Sequence, residues 1–269
     1  MREIMYNQNS ILIITILFIS LVLAIEVGYR LGRRQHPRSN EASKSHIQAI
    51  QTSLLGVLAL LLGFTFSLSL QRYDNRNVAV VDESVAIGAA YLRSQLLPDS
   101  VRRDVQTLLA DYVDVRVAES TVSLADPTHR LALLAQATQN QHELWRYAMQ
   151  AVTEDDRPAT TGLFIQSLND LINSYEKRNA ALDRHIPEIV LFLLYGSFIM
   201  TWGIVGYTSG VAGHRTSFTA YIMLLLIVLL VFVIIDLDRP RRGLIEINHS
   251  SLLDIQAIIH DYQEEGAED

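Results

Sequence analysis

The chain places two pairs of long apolar runs on either side of a polar middle. The runs are Ile11–Tyr29, Leu54–Leu70, Ile186–Tyr207 and Phe218–Ile235. Each approaches the ~20 apolar residues with which a helix crosses a ~30 Å hydrocarbon core. In lipid every backbone N–H and C=O must find its partner within the segment, so each run predicts a transmembrane helix. A bundle of buried core helices is the alternative, and the rest of the chain is too short to cover four of them. The first run leads into "GYRLGRRQHPR" rather than a small-residue cleavage site, which makes it a retained span and not a cleavable signal.

The polar middle, Arg72 to His185, predicts helix throughout. Its prolines, Pro98, Pro127 and Pro158, each stand where a helix should begin, with Asp99 or Ser100 and Asp126 as caps. Between them the apolar spacing alternates threes and fours. Val101, Val105, Leu108, Tyr112 and Val115 form one seam. Leu131, Leu134, Thr138, Gln141, Trp145, Met149 and Val152 form a second. Phe164, Leu168, Leu171, Tyr175, Arg178 and Leu182 form a third. These are the faces of helices packed side by side.

The same count crosses the edge of the second span without a break, through Leu70, Tyr73, Asn77, Val80, Ser84, Ile87 and Tyr91. Between Gly63 and Pro98 the one helix breaker is Gly88, which costs only ~1 kcal/mol. One helix is therefore predicted from about Thr52 to Leu97. At ~1.5 Å per residue it runs roughly 70 Å, more than twice the hydrocarbon thickness. The predicted fold class is all-α and polytopic, with four transmembrane helices and a membrane-proximal helical bundle between the second and third spans. Residues 1–71 form the first transmembrane pair, 72–185 the extramembrane bundle, 186–237 the second pair and 238–269 a polar C-terminal tail.

The chain has no cysteine and a formal net charge of −7, which excludes disulfides and thiolate metal sites and gives no electrostatic reason for nucleic acid. It has no Gly-rich phosphate loop, no HExxH and no GxSxG, and its eight histidines are scattered. "DLDRPRRG" starts like a calcium loop but has Arg and Pro where oxygen ligands belong. No enzyme and no cofactor are expected. Glu26 reads as an interfacial residue or the partner of a basic residue on another helix, and Asp236 and Asp238 as the exit of the fourth span. Trp202, Tyr207 and Tyr221 fit an aromatic belt. Arg30, Arg33, Arg34, Arg38 and Lys44 in the first loop, taken alone, put that loop in the cytoplasm and the bundle outside.

The second span carries the candidate site. Gly56, Leu60, Gly63, Phe64 and Ser67 follow one helical stripe that ends at Gln71. Two readings stay open: small residues that let helices pack closely in lipid, or a pore lining in which Leu60 and Phe64 form an apolar constriction.

"LGFTFSLSLQRYDN", "DESVAIGAAYLR" and "DLDRPRRG" resemble the bacterial bestrophin-like membrane family, and more distantly the bestrophin anion channels, which share the order of two spans, helical block, two spans and tail. The resemblance implies a homo-oligomer, a pentamer, in the lipid bilayer of the bacterial inner membrane, passing inorganic anions. It implies a pore lined by Gly56, Leu60, Gly63, Phe64 and Ser67, with Phe64 as a neck aromatic. Gln71, Arg72 and Arg76 would then stand at the pore mouth. Gly56 departs from the bulky neck residue of that family, and the calcium-binding acidic cluster is missing after Arg242. The resemblance also implies a cytoplasmic bundle, against the first loop's charge. The rival function is a non-conducting membrane scaffold or sensor whose helical block binds a protein partner.

Overall fold

The computed structural model describes residues 9–36, 41–122, 127–239 and 244–268. In chain order the helices are α1 (Ser10–Gln35), α2 (Glu41–Ser94), α3 (Asp99–Thr121), α4 (Pro127–Glu154), α5 (Leu163–Asp183), α6 (Glu188–Ala212), α7 (Phe218–Asp238) and α8 (Ser250–Glu268). Among the described residues there is no strand. The chain divides into two units, 1–72 with 185–239 and 73–184 with 240–269.

The first unit holds α1, the first part of α2, α6 and α7. These are the helices long and apolar enough to cross a membrane. Its core is Leu17, Leu21 and Ile25 of α1 with Phe198 and Trp202 of α6 and Leu224, Val228 and Ile234 of α7. Trp202 lies inside this core. Its helix ends are built by local chemistry. The Asn9 side chain caps α1 by accepting from the Ile11 N–H at 2.8 Å, and Gly213, at φ 84°, closes α6 in the left-handed region.

The closest helix contact in this unit runs between α1 and α6. A Cβ on Gly28 would overlap the carbonyl oxygen of Gly203, one on Gly32 that of Tyr207, one on Gly206 that of Ile25 and one on Gly210 that of Tyr29. Backbone meets backbone here because apolar burial gives no drive between helices in lipid, and small residues allow dispersion contact instead. Gly28 and Gly32 on α1, and Gly206 and Gly210 on α6, stand four residues apart, a GxxxG spacing that the search for large apolar residues passed over.

In the second unit the later part of α2 packs with α3, α4, α5 and α8 around one apolar core. The first and third predicted seams form it, including Val101, Val105, Tyr112, Phe164, Leu168 and Leu171. The second seam is displaced. The buried face of α4 is Ala137, Leu144, Ala148 and Ala151 with Asn140 and Gln141, whereas Leu131, Trp145 and Met149 are exposed. Pro127 opens α4; the proposed cap Asp126 lies outside the described residues. Ser100 bonds the Glu154 carboxylate at 2.7 Å. Pro158 starts a short π-turn, Pro158–Gly162, that leads into α5. The Asp155 carboxylate steadies that turn, accepting from the Arg157 N–H at 3.0 Å and the Thr160 hydroxyl at 2.6 Å.

The segment expected as a polar tail contains α8, which packs on this unit. Leu252 and Ile259 are fully buried, Tyr262 stacks on Tyr91 with centroids 6.0 Å apart, and Ile255 lies against Gly88, where a Cβ would meet its Cδ1 at 2.9 Å. The glycine that looked like a weak point in α2 is where α8 approaches it.

Candidate functional site

α2 is one uninterrupted helix of 54 residues, about 80 Å long. It starts about eleven residues before the predicted Thr52 and ends three before Leu97, and it does not stop at Arg72. Its membrane segment has two different faces. Leu58, Leu62, Thr65 and Ser69 are buried within the chain. Gly56, Leu60, Gly63, Phe64, Ser67 and Gln71 are all exposed, with Leu60 at 58% and Phe64 at 61% of full exposure. A Cβ built on Gly56 or Gly63 meets nothing within 4 Å. The small residues of this stripe therefore pack no helix of their own chain. That role belongs to the glycines of α1 and α6.

The basic residues expected near the stripe's end separate from one another. Arg72 is partly buried and its Nη1 donates to Asp238 Oδ1 at 3.0 Å. Asp238 also accepts the Ile186 N–H at 2.9 Å through Oδ2. It thus ties the end of α7 to the segment leading into α6 as well as to α2, and does more than mark the exit of the span. Arg76 is buried: Nε donates to the Ala181 carbonyl at 3.1 Å and Nη2 to that of Arg184 at 2.6 Å. It caps the orphan carbonyls at the end of α5, so its guanidinium is turned into the helical unit. Glu26 pairs with Arg30 one turn on in its own helix, at 2.8 Å, rather than with another helix.

A second ionic assembly escaped sequence reasoning. Glu83, fully buried, accepts from Arg116 Nε at 2.6 Å and from Arg178 Nη1. Glu119, also buried, pairs with Arg116 at 3.5 Å and with the less buried Arg130 at 3.3 Å. The Arg116 guanidinium sits 4.6 Å over the Tyr175 ring. Burial alone would raise the Glu83 pKa, but the charges and hydrogen bonds of Arg116 and Arg178 outweigh it and hold the carboxyl below its ordinary range. Burial pushes the Tyr112 phenol up, and its hydroxyl accepts from the Gln141 amide at 3.1 Å. The available signal was polar residues at core spacing: Arg178 falls between Tyr175 and Leu182 in the third seam, and Arg116 follows the first.

Among the described residues no group of three or more His, Asp or Glu is placed to hold a metal ion. The arrangement defines a four-span α-helical membrane protein whose second span runs on into a polar helical unit. A family model described as the Bestrophin-like domain matches residues 17–252. The chain belongs to the bestrophin-like family. It is also similar to a crystal structure of a point mutant of a bacterial bestrophin homologue from Klebsiella pneumoniae, with TM-score 0.60 and 13% sequence identity over 90% of this chain and 97% of that one. At that identity the likeness is one of fold. No curated protein matches the chain.

Proposed function

We propose that the protein is an oligomeric, bestrophin-type ion channel that passes anions, its pore lined by the second span. Copies of α2, five by analogy with the family, surround the axis. Gly56, Leu60, Gly63, Phe64 and Ser67 face it, and Gln71 and Arg72 stand at the mouth. Leu60 and Phe64, one turn apart, form an apolar neck in which an ion sheds water. Gly56 leaves the neck wider at its level. The Gln71 amide and the partly exposed Arg72 present N–H donors to an anion, with Arg72 held in place by Asp238.

One observation carries the reading: the face of α2 that holds Gly56, Gly63, Ser67 and Gln71 is exposed, while its opposite face is buried in the chain. Two glycines, a serine and a glutamine are poor choices for lipid contact, and a scaffold would bury such a stripe between helices of one subunit. The absence of cysteine allows a direct test. Single cysteines at 60, 64, 67 and 71 should react with a membrane-impermeant thiol reagent and lower flux, and cysteines at 58, 62, 65 and 69 should not. Equal reactivity around the helix, or none at 64 and 67, would remove the pore from this face.

A further inference from the structure

On α2, Lys44, Gln48, Gln51, Leu55, Leu58 and Leu62 follow one another at steps of three and four residues and so share a single face. That face changes character along its length. Its first half lines a cavity of about 330 Å³, bounded on the other side by Thr208 and Ser209 at the end of α6 and by His214 just past it. Its second half, with Ala59, lines an apolar groove of about 300 Å³, closed by Met223, Leu226 and Leu230 of α7. Gln51 Oε1 accepts from the Thr208 hydroxyl at 2.7 Å and joins the two walls at the polar level.

The order is that of an amphiphile standing in a leaflet. The centres of the two stretches are about ten residues apart on α2, or ~15 Å along the axis. That is half of a ~30 Å hydrocarbon core. α6 and α7 are joined by the short segment Gly213–Ser217, so the polar cavity lies at the membrane edge where α7 enters, and the groove lies deeper on the same side. Among the described residues the cavity is lined by Lys44 and His214 and by no carboxylate. Lys44 bonds Glu41 at 2.9 Å, but the Glu41 side chain is 91% exposed. Such an exposed pair is weak enough for a phosphate to displace.

We propose that this face of α2 holds one anionic glycerophospholipid, with its phosphate in the cavity beside Lys44 and His214 and one acyl chain in the groove against α7. The site is separate from the stripe that carries Leu60 and Phe64, and its test does not depend on conduction. The full-length protein, purified in detergent, is incubated with dioleoyl phosphatidylglycerol, dioleoyl phosphatidylcholine or glycerol 3-phosphate, and retained ligand is counted per chain by native mass spectrometry. Phosphatidylglycerol should be retained at one per chain, about five-fold or more above phosphatidylcholine, which is the effect of one cation beside an anionic lipid. Lys44→Gln should abolish that preference while leaving weak retention of both lipids. Ala59→Trp, an exposed position that fills the groove without touching the cavity, should lower retention of both. Equal retention of the two lipids by the wild type, or wild-type retention by Ala59→Trp, would overturn the proposal. Retention of glycerol 3-phosphate at the level of phosphatidylglycerol would reduce the site to a phosphate pocket. A change in subunit number in Ala59→Trp would assign the groove to a second copy of the chain. Either result would also overturn it.

Discussion

Replacing Glu83 by Gln keeps the side chain's size and removes the charge on which the core of the second unit depends. In the wild type Glu83, Arg116 and Arg178 expose at most 1% of their side chains. Two guanidiniums share the Glu83 carboxylate, and Glu119 reaches Arg116 only at 3.5 Å and Arg178 at 3.7 Å. The variant therefore leaves two buried cations to one distant carboxylate. Loss of one partner from a buried ion pair costs about 3–5 kcal/mol, most of it the desolvation of the charge left behind. For a unit of this size 1 kcal/mol corresponds to about 2–4 °C in Tm, so a fall of about 6–20 °C is expected. The assay is thermal unfolding of the purified protein in detergent, followed by circular dichroism. Asp99→Ala serves as the control, because its pair with Arg102 is exposed and worth about 0–1 kcal/mol. The sign of the pH dependence follows from the depressed Glu83 pKa. Its stabilisation is present above the ordinary value near 4.5 and disappears as pH falls through the lower folded value. The gap between wild type and Glu83→Gln should therefore narrow as the pH is taken well below 4.5. A Tm within about 2 °C of the wild type at pH 7, or a gap that does not change with pH, would refute the account of this assembly.

Other positions separate equally well. Gly206→Ala pushes a methyl group into the Ile25 carbonyl and should cost about 1–3 kcal/mol or more, while Gly56→Ala, with open space around it, should keep the Tm or raise it by the equivalent of up to ~1 kcal/mol of helix propensity; equal effects would disprove the glycine seam. Asp238→Ala removes the acceptor for both Arg72 and the Ile186 N–H and should cost about 1–3 kcal/mol in thermal unfolding. Ile259→Ala empties a fully buried position on α8 at about 2–5 kcal/mol, and limited proteolysis should show faster cleavage near the C-terminus than in the wild type.

The four spans were legible because a bilayer imposes length and apolarity on any helix that crosses it. The continuity of α2 was legible because its three-four count runs through Arg72 with no breaker. The seams on α3 and α5 were legible because large apolar residues mark them. The seam on α4 was misplaced because its contact face is mostly alanine, and hydropathy ranks exposed Leu131 and Met149 above Ala137 and Ala148. The same bias toward large residues hid the α1–α6 contact, where the signal is glycine. α8 was taken for a tail although Leu252, Ile255 and Ile259 have helical spacing, since no pattern in one segment says which surface receives it. For the candidate site, spacing identified the stripe on α2 but not what it faces. The burial of the opposite face shows only that the stripe points out of its own chain. Hydrogen bonding separates Arg72, bonded to Asp238, from Arg76, bonded to the carbonyls that end α5.

The central claim is that ions pass along the exposed face of α2, and flux through proteoliposomes tests it most directly. Chloride and potassium gradients are imposed separately on vesicles containing wild type, Phe64→Ala or Gln71→Glu. The account predicts chloride flux above potassium flux in the wild type, a higher conductance in Phe64→Ala where the neck is widened, and a lower chloride preference in Gln71→Glu where a carboxylate stands at the mouth. Flux that neither substitution alters would place the conducting path elsewhere, and no chloride flux from intact oligomer of any of the three proteins would contradict the channel.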